Sequence, residues 1–150
     1  MAVFEIISNP VDTQESLQNL CQYILDPLHE KSDGTLIGGQ YLTPTSSFEE
    51  MREAQTLFDK DSGRLAYHFI ISFDPGDPLM PEDAFTFAIE FIDFFFKEYQ
   101  VLFNVHTKQS HLHVHFALNP VSLRTGKKLH VDYELIGRYR DFIQKNIELY

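Results

Sequence analysis

Residues 100–119, with the sequence QVLFNVHTKQSHLHVHFALN, hold four of the seven histidines in this chain. His111, His113 and His115 alternate with apolar residues, and a period of two is the pattern of a β-strand. The three imidazoles are therefore predicted to project from one face of the strand and the apolar side chains from the other. A second strand is predicted over residues 100–106, and residues 107–110 are a connection of hairpin length. Two consecutive strands joined in this way predict an antiparallel sheet.

The rest of the chain alternates between strand and helix patterns. Further strands are predicted over residues 2–8 and 65–73, with short ones near residues 35–37 and 129–131. Helices are predicted from residue 12 to the proline at position 27, and over residues 46–58, 81–98 and 132–147. This order predicts an α+β fold in which helices pack on an antiparallel sheet. The length of 150 residues predicts one domain spanning residues 1–150.

Three of the predicted helices begin with residues that favour capping. Asp12 is followed three residues later by Glu15, and Ser46 by Glu49, which is the spacing of a capping box. Asp132 precedes the last helix and is a favoured N-cap residue. We therefore expect these side chains to bond to the backbone at the helix starts.

The charge of the chain is distributed unevenly. The formal net charge is −10 at pH 7. Residues 104–145 contain seven Lys and Arg against three Asp and Glu, a net of +4, so the remainder carries −14. The histidine-bearing region is thus the basic part of an acidic chain, which permits a phosphate ligand in that region.

The sequence also indicates the cellular compartment in which the protein is expected. Cys21 is the single cysteine, which excludes an intramolecular disulfide framework and is compatible with a reducing cytosol. The N-terminal segment lacks the layout of a signal peptide, and no apolar run reaches membrane-spanning length. We expect a cytoplasmic protein with no membrane span.

The hairpin geometry selects a set of metal ligands. Directly opposed Cβ atoms of an antiparallel pair lie about 4.5–5.5 Å apart, so His106 is predicted to share a metal with His113 and His115. Three imidazoles leave open coordination positions, as in catalytic sites. His111, nearer the turn, is predicted to line the substrate groove or to support a ligand from outside the coordination shell. The alternative is a solvated strand face that is rich in histidine.

These residues also resemble a known family. Residues 106–119 look like the metal-binding motif of the relaxases, the mobilisation nucleases of plasmids and integrative elements. Relaxases belong to the HUH endonucleases, named for two histidines around a hydrophobic residue, here His113-Val114-His115. Residues 65–77 (LAYHFIISFDPGD) are similar to the second motif of the family. Residues 23–27 (YILDP) are similar to the first motif, which carries the nucleophilic tyrosine.

The resemblance implies a fold and an activity. It implies a sheet of about five antiparallel strands with the metal-binding hairpin in its middle. It also implies site- and strand-specific nicking of single-stranded DNA at a transfer origin, for conjugative mobilisation. In that reaction Tyr23 would form a 5′-phosphotyrosyl link. The implied cofactor is a divalent ion, Mn or Mg in function with Zn or Ni also able to enter the site. Relaxosome accessory proteins are implied partners, and the domain could be the N-terminal part of a longer protein.

Further residues are predicted to support the site or to contact DNA. His68 and Ser72 share a strand face and are predicted to support a ligand or contact substrate, although a half-buried histidine is an equal alternative. Asn119 is predicted to contact a substrate phosphate or simply to end its strand. Three basic residues near a predicted turn are expected to contact DNA phosphates, the alternative being a solvated turn. They are Arg124, Lys127 and Lys128.

Several alternatives remain open on the sequence alone. Tyr23 could merely pack beside its helix, and Tyr41 is a second candidate nucleophile. An HUH replication initiator or transposase would instead use a tyrosine after the histidine motif, here Tyr139. A non-catalytic module that binds metal or DNA is a further alternative. It is favoured by the acidic net charge and by Lys108, where relaxases commonly carry an aspartate.

Overall fold

The structure is a computed structural model that describes residues 2–25, 36–108 and 111–150, with only the backbone described at Lys108. The predicted helix end at residue 27 and residues 109–110 of the predicted connection lie outside the described residues. Residues 107–108, predicted as part of the connection, continue the strand instead. The elements in chain order are β1 (Ala2–Ile6), α1 (Gln14–Leu25), β2 (Ile37–Gln40), α2 (Ser47–Leu57), β3 (Tyr67–Phe73), α3 (Pro81–Phe95), β4 (Val101–Lys108), β5 (His111–Leu118) and α4 (Tyr133–Asn146).

The described strands form one five-stranded sheet in the order β1-β3-β5-β4-β2. Every neighbouring pair is antiparallel. Strand β5, which carries three histidines, is the central strand, and its hairpin partner β4 lies beside it. The predicted α+β fold with the histidine hairpin in the middle of an antiparallel sheet is confirmed.

The two faces of the sheet are covered by different pairs of helices. Helices α3 and α4 pack on one face, in a core rich in phenylalanine that includes Phe69, Phe91 and Phe116. Helices α1 and α2 pack on the other face, around a smaller cluster that includes Leu17 and Leu102. Because side chains alternate along a strand, the apolar residues of β5 enter the phenylalanine-rich core. The histidines of β5 are left on the α1 side.

The strand register places the histidines of β4 and β5 next to one another. His106 pairs directly with His113. His113 is also opposite Ser72 of β3. His115 lies between Asn104 of β4 on one side and β3 on the other. The site is therefore built on three adjacent strands at the centre of the sheet, where the backbone is held on both sides.

Two of the predicted helix caps are wrong. At α1 the cap is Thr13, whose Oγ1 accepts from the Ser16 amide at 3.0 Å while Ser16 Oγ accepts from the Thr13 amide at 3.0 Å. This reciprocal pair replaces the predicted one of Asp12 and Glu15. At α2 the Ser46 side chain makes no cap bond, because a 3₁₀ turn (Pro44–Ser46) precedes the helix.

The cap of α4 is as predicted, but the short strand before it is not. Asp132 Oδ1 accepts from the Leu135 amide at 2.9 Å. The strand predicted near residues 129–131 is absent from the described sheet, and only an isolated bridge between Val121 and Lys128 forms nearby. The reason is that the Tyr67 hydroxyl binds the backbone there, donating to the Leu129 carbonyl and accepting from the amide of residue 131.

None of the helices in the described part of the chain is long and apolar enough to cross a membrane.

Candidate active site

The histidines of the hairpin form a compact cluster under α1. His106 is 1% exposed and His115 is 6% exposed. Their ring centroids lie 4.3 Å apart, and the ring of His113 lies 6.3 Å from that of His115. His111 is next along the strand, with its ring 6.1 Å from that of His113. The structure thus brings the three predicted ligands together and places His111 at the turn end of the row.

A neighbouring group holds one nitrogen of each predicted ligand. His106 Nε2 lies 3.1 Å from the Ile24 carbonyl oxygen. Because a carbonyl only accepts, Nε2 is the donor in this contact. His115 Nδ1 lies 3.0 Å from His68 Nε2, and His113 Nδ1 lies 3.5 Å from Ser72 Oγ. Orientation of a histidine through its second nitrogen is the usual arrangement around metal ligands.

Burial keeps two of the clustered rings neutral at physiological pH. Desolvation, with a smaller contribution from neighbouring His106, lowers the pKa of His115 to about 2. The same two causes lower the pKa of His68 to about 4. Neutral imidazole is the form that binds metals. His115 is therefore in the protonation state that a metal ligand requires, and neither His115 nor His68 carries a positive charge at physiological pH.

Tyr23 lies on the last turn of α1 and contacts this cluster. Its ring centroid is 5.3 Å from that of His115, 5.6 Å from that of His106 and 6.2 Å from that of His68. Its side chain is 46% exposed. The phenol is therefore beside the buried imidazoles and also open to solvent, so that a polymer substrate could reach it.

The three predicted ligands have the chemistry of metal donors, but their side chains do not converge on one point. Within residues 2–25, 36–108 and 111–150, no three His, Cys, Asp or Glu side chains converge so as to hold one ion. The chemistry of His106, His113 and His115 nevertheless fits a divalent cation, because three imidazoles share one face and each has a neighbour at its other nitrogen. The strands bring the three histidines to one face, whereas their rings are oriented toward the Ile24 carbonyl, His68 and Ser72.

Asn119 directly follows the end of β5 and is integrated into the core. It is fully buried. Its Nδ2 donates to Gln100 Oε1 at 2.8 Å, and its Oδ1 accepts from the Val121 amide and from Gln55 Nε2. A contact between this amide and a substrate would require some of these bonds to break.

The three predicted basic contacts lie at the other end of the hairpin. At roughly 3.4 Å per residue, the end of β5 at Leu118 is about 17 Å from His113. Arg124 Nε forms an ion pair with Glu98 Oε2 at 2.8 Å, and Lys128 Nζ donates to the carbonyls of residues 62 and 64. Lys127 is exposed. Two of the three cations are thus already engaged by the protein.

The alternative nucleophiles lie away from the histidine cluster. Tyr139 is 1% exposed and packs against Phe91 and Phe95 on the opposite face of the sheet. Burial raises its pKa above the ordinary range of tyrosine. This placement contradicts the alternative of a replication initiator or transposase that uses Tyr139. Tyr41 follows β2 at the Arg124 end of the sheet, with a positive φ of 56°.

Sequence reasoning missed one residue of the site. Asn104 is fully buried on the histidine face of β4, and its Nδ2 donates to the Ile24 carbonyl at 2.8 Å. The available signal was an amide at position 104 between apolar residues, two positions before His106. Its partner could not be predicted, because Ile24 is 80 residues away in the sequence.

Comparison with known proteins agrees with this geometry. The family described as "Relaxase: MobA/VirD2-like, nuclease domain" matches residues 23–148, a range that begins at Tyr23. The fold and the arrangement of the three motifs define the same class, and the chain belongs to this relaxase family. The resemblance found in the sequence is thereby confirmed.

Curated relatives are much longer than this chain. The protein "Protein rlx" of Staphylococcus aureus is 32% identical over 94 residues, which cover 63% of this chain and 28% of that protein. The "Group II intron-interrupted relaxase LtrB" of Lactococcus lactis subsp. cremoris is 31% identical over 98 residues, covering 60% of this chain and 17% of the relative. The chain thus aligns with less than a third of each. No solved structure matches the chain.

Proposed function

We propose that residues 1–150 form a relaxase nuclease domain that nicks and transfers a single DNA strand at a transfer origin. The observation that carries the proposal is the position of the Tyr23 ring, 5.3 Å from His115 and 5.6 Å from His106, at a half-exposed site. Membership in the relaxase family supports it. Tyr23 is the proposed nucleophile.

The proposed reaction exchanges one phosphate ester for another. The oxygen of Tyr23 forms a bond to phosphorus, and the bond from phosphorus to the 3′-oxygen breaks. The phenol proton leaves to solvent and the 3′-oxygen takes up a proton. The products are a 5′-phosphotyrosyl link and a free 3′-hydroxyl, and because the ester is conserved the strand can be rejoined without another energy source.

His106, His113 and His115 are the residues that would hold a divalent cation, with Mn or Mg the proposed ion. When bound, such an ion polarises the scissile phosphate and offsets charge on its oxygens. The contribution of the chain is to position these donors on rigid strands and, through burial, to keep His115 neutral. His68 and Ser72 are proposed to orient His115 and His113.

The wider setting is part of the same proposal. We infer that the chain acts in the cytoplasm, as one domain of a protein that mobilises a plasmid or an integrative element. Single-stranded DNA at the transfer origin is the proposed substrate, and relaxosome accessory proteins are proposed partners. The LtrB relative, which is named a relaxase, supports this setting.

The proposal is tested by trapping the covalent link. The protein is incubated with a labelled pool of random-sequence single-stranded DNA and MnCl₂ or MgCl₂, and adducts are resolved by denaturing electrophoresis. We expect an adduct with the wild-type chain and its loss, by roughly three orders of magnitude or more, in Tyr23→Phe, since removing a nucleophile removes the step itself.

Tyr41→Phe is the matched control, because Tyr41 is also exposed, at 59% against 46% for Tyr23, but lies at the other end of the sheet. This variant is expected to form adduct like the wild type. If the chain binds the DNA pool and no Tyr23-dependent adduct forms with either metal, the proposal is wrong and the chain is a non-catalytic binding module.

A further inference from the structure

The backbone carbonyl of Ile24, in the last described turn of α1, is hydrogen-bonded to the sheet. Ile24 directly precedes Leu25, the last residue described for α1. Two side chains of β4 donate to it, Asn104 Nδ2 at 2.8 Å and His106 Nε2 at 3.1 Å. The helix end is therefore held by the same strand that carries the first histidine of the cluster.

The attachment lies directly beside the proposed nucleophile. Tyr23 precedes Ile24, whose side chain is completely buried in the cluster between α1 and the sheet. The peptide unit of Ile24 is thus fixed both by packing and by hydrogen bonds, while the Tyr23 ring projects toward solvent. Movement of this turn would change the distance between the Tyr23 oxygen and the histidines.

Of the two donors, Asn104 has no place in the proposed ligand set. It is fully buried and lies opposite His115 across the hairpin. Its amide can donate to Ile24 whether or not the ring of His106 reorients around a cation. It is therefore the donor that keeps the helix end in place when the imidazoles change partners.

We infer that Asn104 is a positioning residue for Tyr23: its amide holds the end of α1 so that the phenol stays beside the histidine cluster. The inference rests on the proposed function, because it assigns Asn104 a role in the same reaction. It goes beyond anchoring for stability, since it requires that the rate of tyrosine attack, and not DNA affinity, depends on the bond to Ile24.

The test uses Asn104→Asp, which keeps the shape of the side chain but replaces the donor with an oxygen. The matched control is Gln40→Glu, because Gln40 Nε2 donates in the same way to two carbonyls beyond the end of α3, those of Phe96 at 2.7 Å and Tyr99 at 2.9 Å. Both variants lose an amide that anchors a helix end, but only one of these helices carries Tyr23.

Three quantities are measured on the full chain: the single-turnover rate of adduct formation at saturating single-stranded DNA, the Kd for the same DNA, and the ¹⁹F spectrum after labelling with 3-fluorotyrosine. The resonance of residue 23 is assigned by its absence in Tyr23→Phe. A misplacement of about 1 Å can cost on the order of 100-fold in rate, so Asn104→Asp is expected to lower the rate roughly 10- to 100-fold.

The other two readouts separate positioning from stability. Asn104→Asp is expected to leave the Kd within about twofold and to shift or broaden the residue 23 resonance in the free protein. Gln40→Glu is expected to leave both the rate and this resonance unchanged. Asn104→Ser, which retains a shorter donor, replaces Asn104→Asp if that variant does not fold, with an intermediate loss expected.

The inference is overturned if the Asn104 variant keeps the wild-type rate and the wild-type resonance of residue 23. If the wild type forms no adduct, the proposed reaction fails. The spectrum then still decides whether Asn104 positions Tyr23: an unchanged residue 23 resonance in the variant rejects that role.

Discussion

The two faces of the sheet use aromatic side chains for different purposes. On the α3–α4 face, Tyr139 is surrounded by phenylalanines and is excluded from solvent. On the α1 face, Tyr23 is half exposed and touches three imidazoles. The same type of side chain therefore contributes to core packing on one face, as Tyr139, and presents an accessible hydroxyl beside polar groups on the other, as Tyr23. Residue type alone did not distinguish the two tyrosines as candidate nucleophiles, whereas their surroundings favour Tyr23 as the proposed one.

The largest difference between the faces is expected in stability. Tyr139→Ala removes a ring that contacts Phe4, Phe91 and Phe95 and is expected to lower the free energy of unfolding by about 3–5 kcal/mol. Tyr23→Ala, at a half-exposed position, is expected to lower it by only about 1 kcal/mol. Urea denaturation of both variants measures the two values. Equal losses would mean that Tyr23 is also a packing residue.

A smaller effect is expected where the phenylalanine-rich face meets β2. A Cβ at Gly38 would lie 2.2 Å from the Phe103 ring, so Gly38→Ala is expected to destabilise the protein by about 1–3 kcal/mol through overpacking. At Gly137, on α4, no heavy atom lies within 4 Å of such a Cβ. Gly137→Ala is therefore expected to stabilise by about 0.4–1 kcal/mol. A neutral Gly38→Ala would show that this edge of the core is loosely packed.

The α1 face also contains a buried thiol, which gives a pH-dependent prediction. Burial raises the pKa of Cys21 to about 11, so at pH 8 the folded protein has roughly 100-fold less thiolate than the unfolded chain. Alkylation by iodoacetamide is expected to be slower by at least that factor. The rate should increase with pH up to about pH 11, because the thiol stays protonated until then. Native protein that reacts at pH 8 as fast as protein in denaturant would contradict the burial of this helix face.

The smallest effect is expected at the end of the hairpin away from the histidines. If the turn contacts DNA phosphates, Lys127→Ala is expected to reduce the slope of log Kd against log salt concentration by at most about 0.7 for single-stranded DNA. Arg124→Ala is expected to change it less, since its guanidinium is already paired with Glu98. An unchanged slope for Lys127→Ala would remove this turn from the DNA-binding surface.

The sequence predicted those features that depend on local pattern. Alternation in residues 111–118 predicted a strand and the shared face of His113 and His115, and the hairpin placed His106 opposite them. The central place of this strand in the sheet was implied by the resemblance to relaxases. The cap at α1 was missed because Thr13 and Ser16 were better placed than the predicted pair. The link from Asn104 to Ile24 was also missed, since contacts between distant segments leave no periodic signal.

The neighbourhood of Tyr23 is the part that pattern alone could not provide. Spacing alone favoured simple packing of Tyr23 on α1, and only the resemblance to relaxases favoured catalysis. The structure adds the distances to His106 and His115. It also excludes Tyr139 as a nucleophile acting with the histidines, because this side chain is buried on the other face of the sheet. Its position in the sequence after the histidine motif did not indicate that face.

The most direct measurement is to locate the covalent link within the chain. Adduct formed with single-stranded DNA is digested with nuclease and trypsin, and the modified peptide is sequenced by mass spectrometry. A nucleotide attached through phosphate to Tyr23 is the predicted result. A nucleotide on any other residue, with Tyr23 unmodified, would contradict the assignment of the α1 face as the catalytic face.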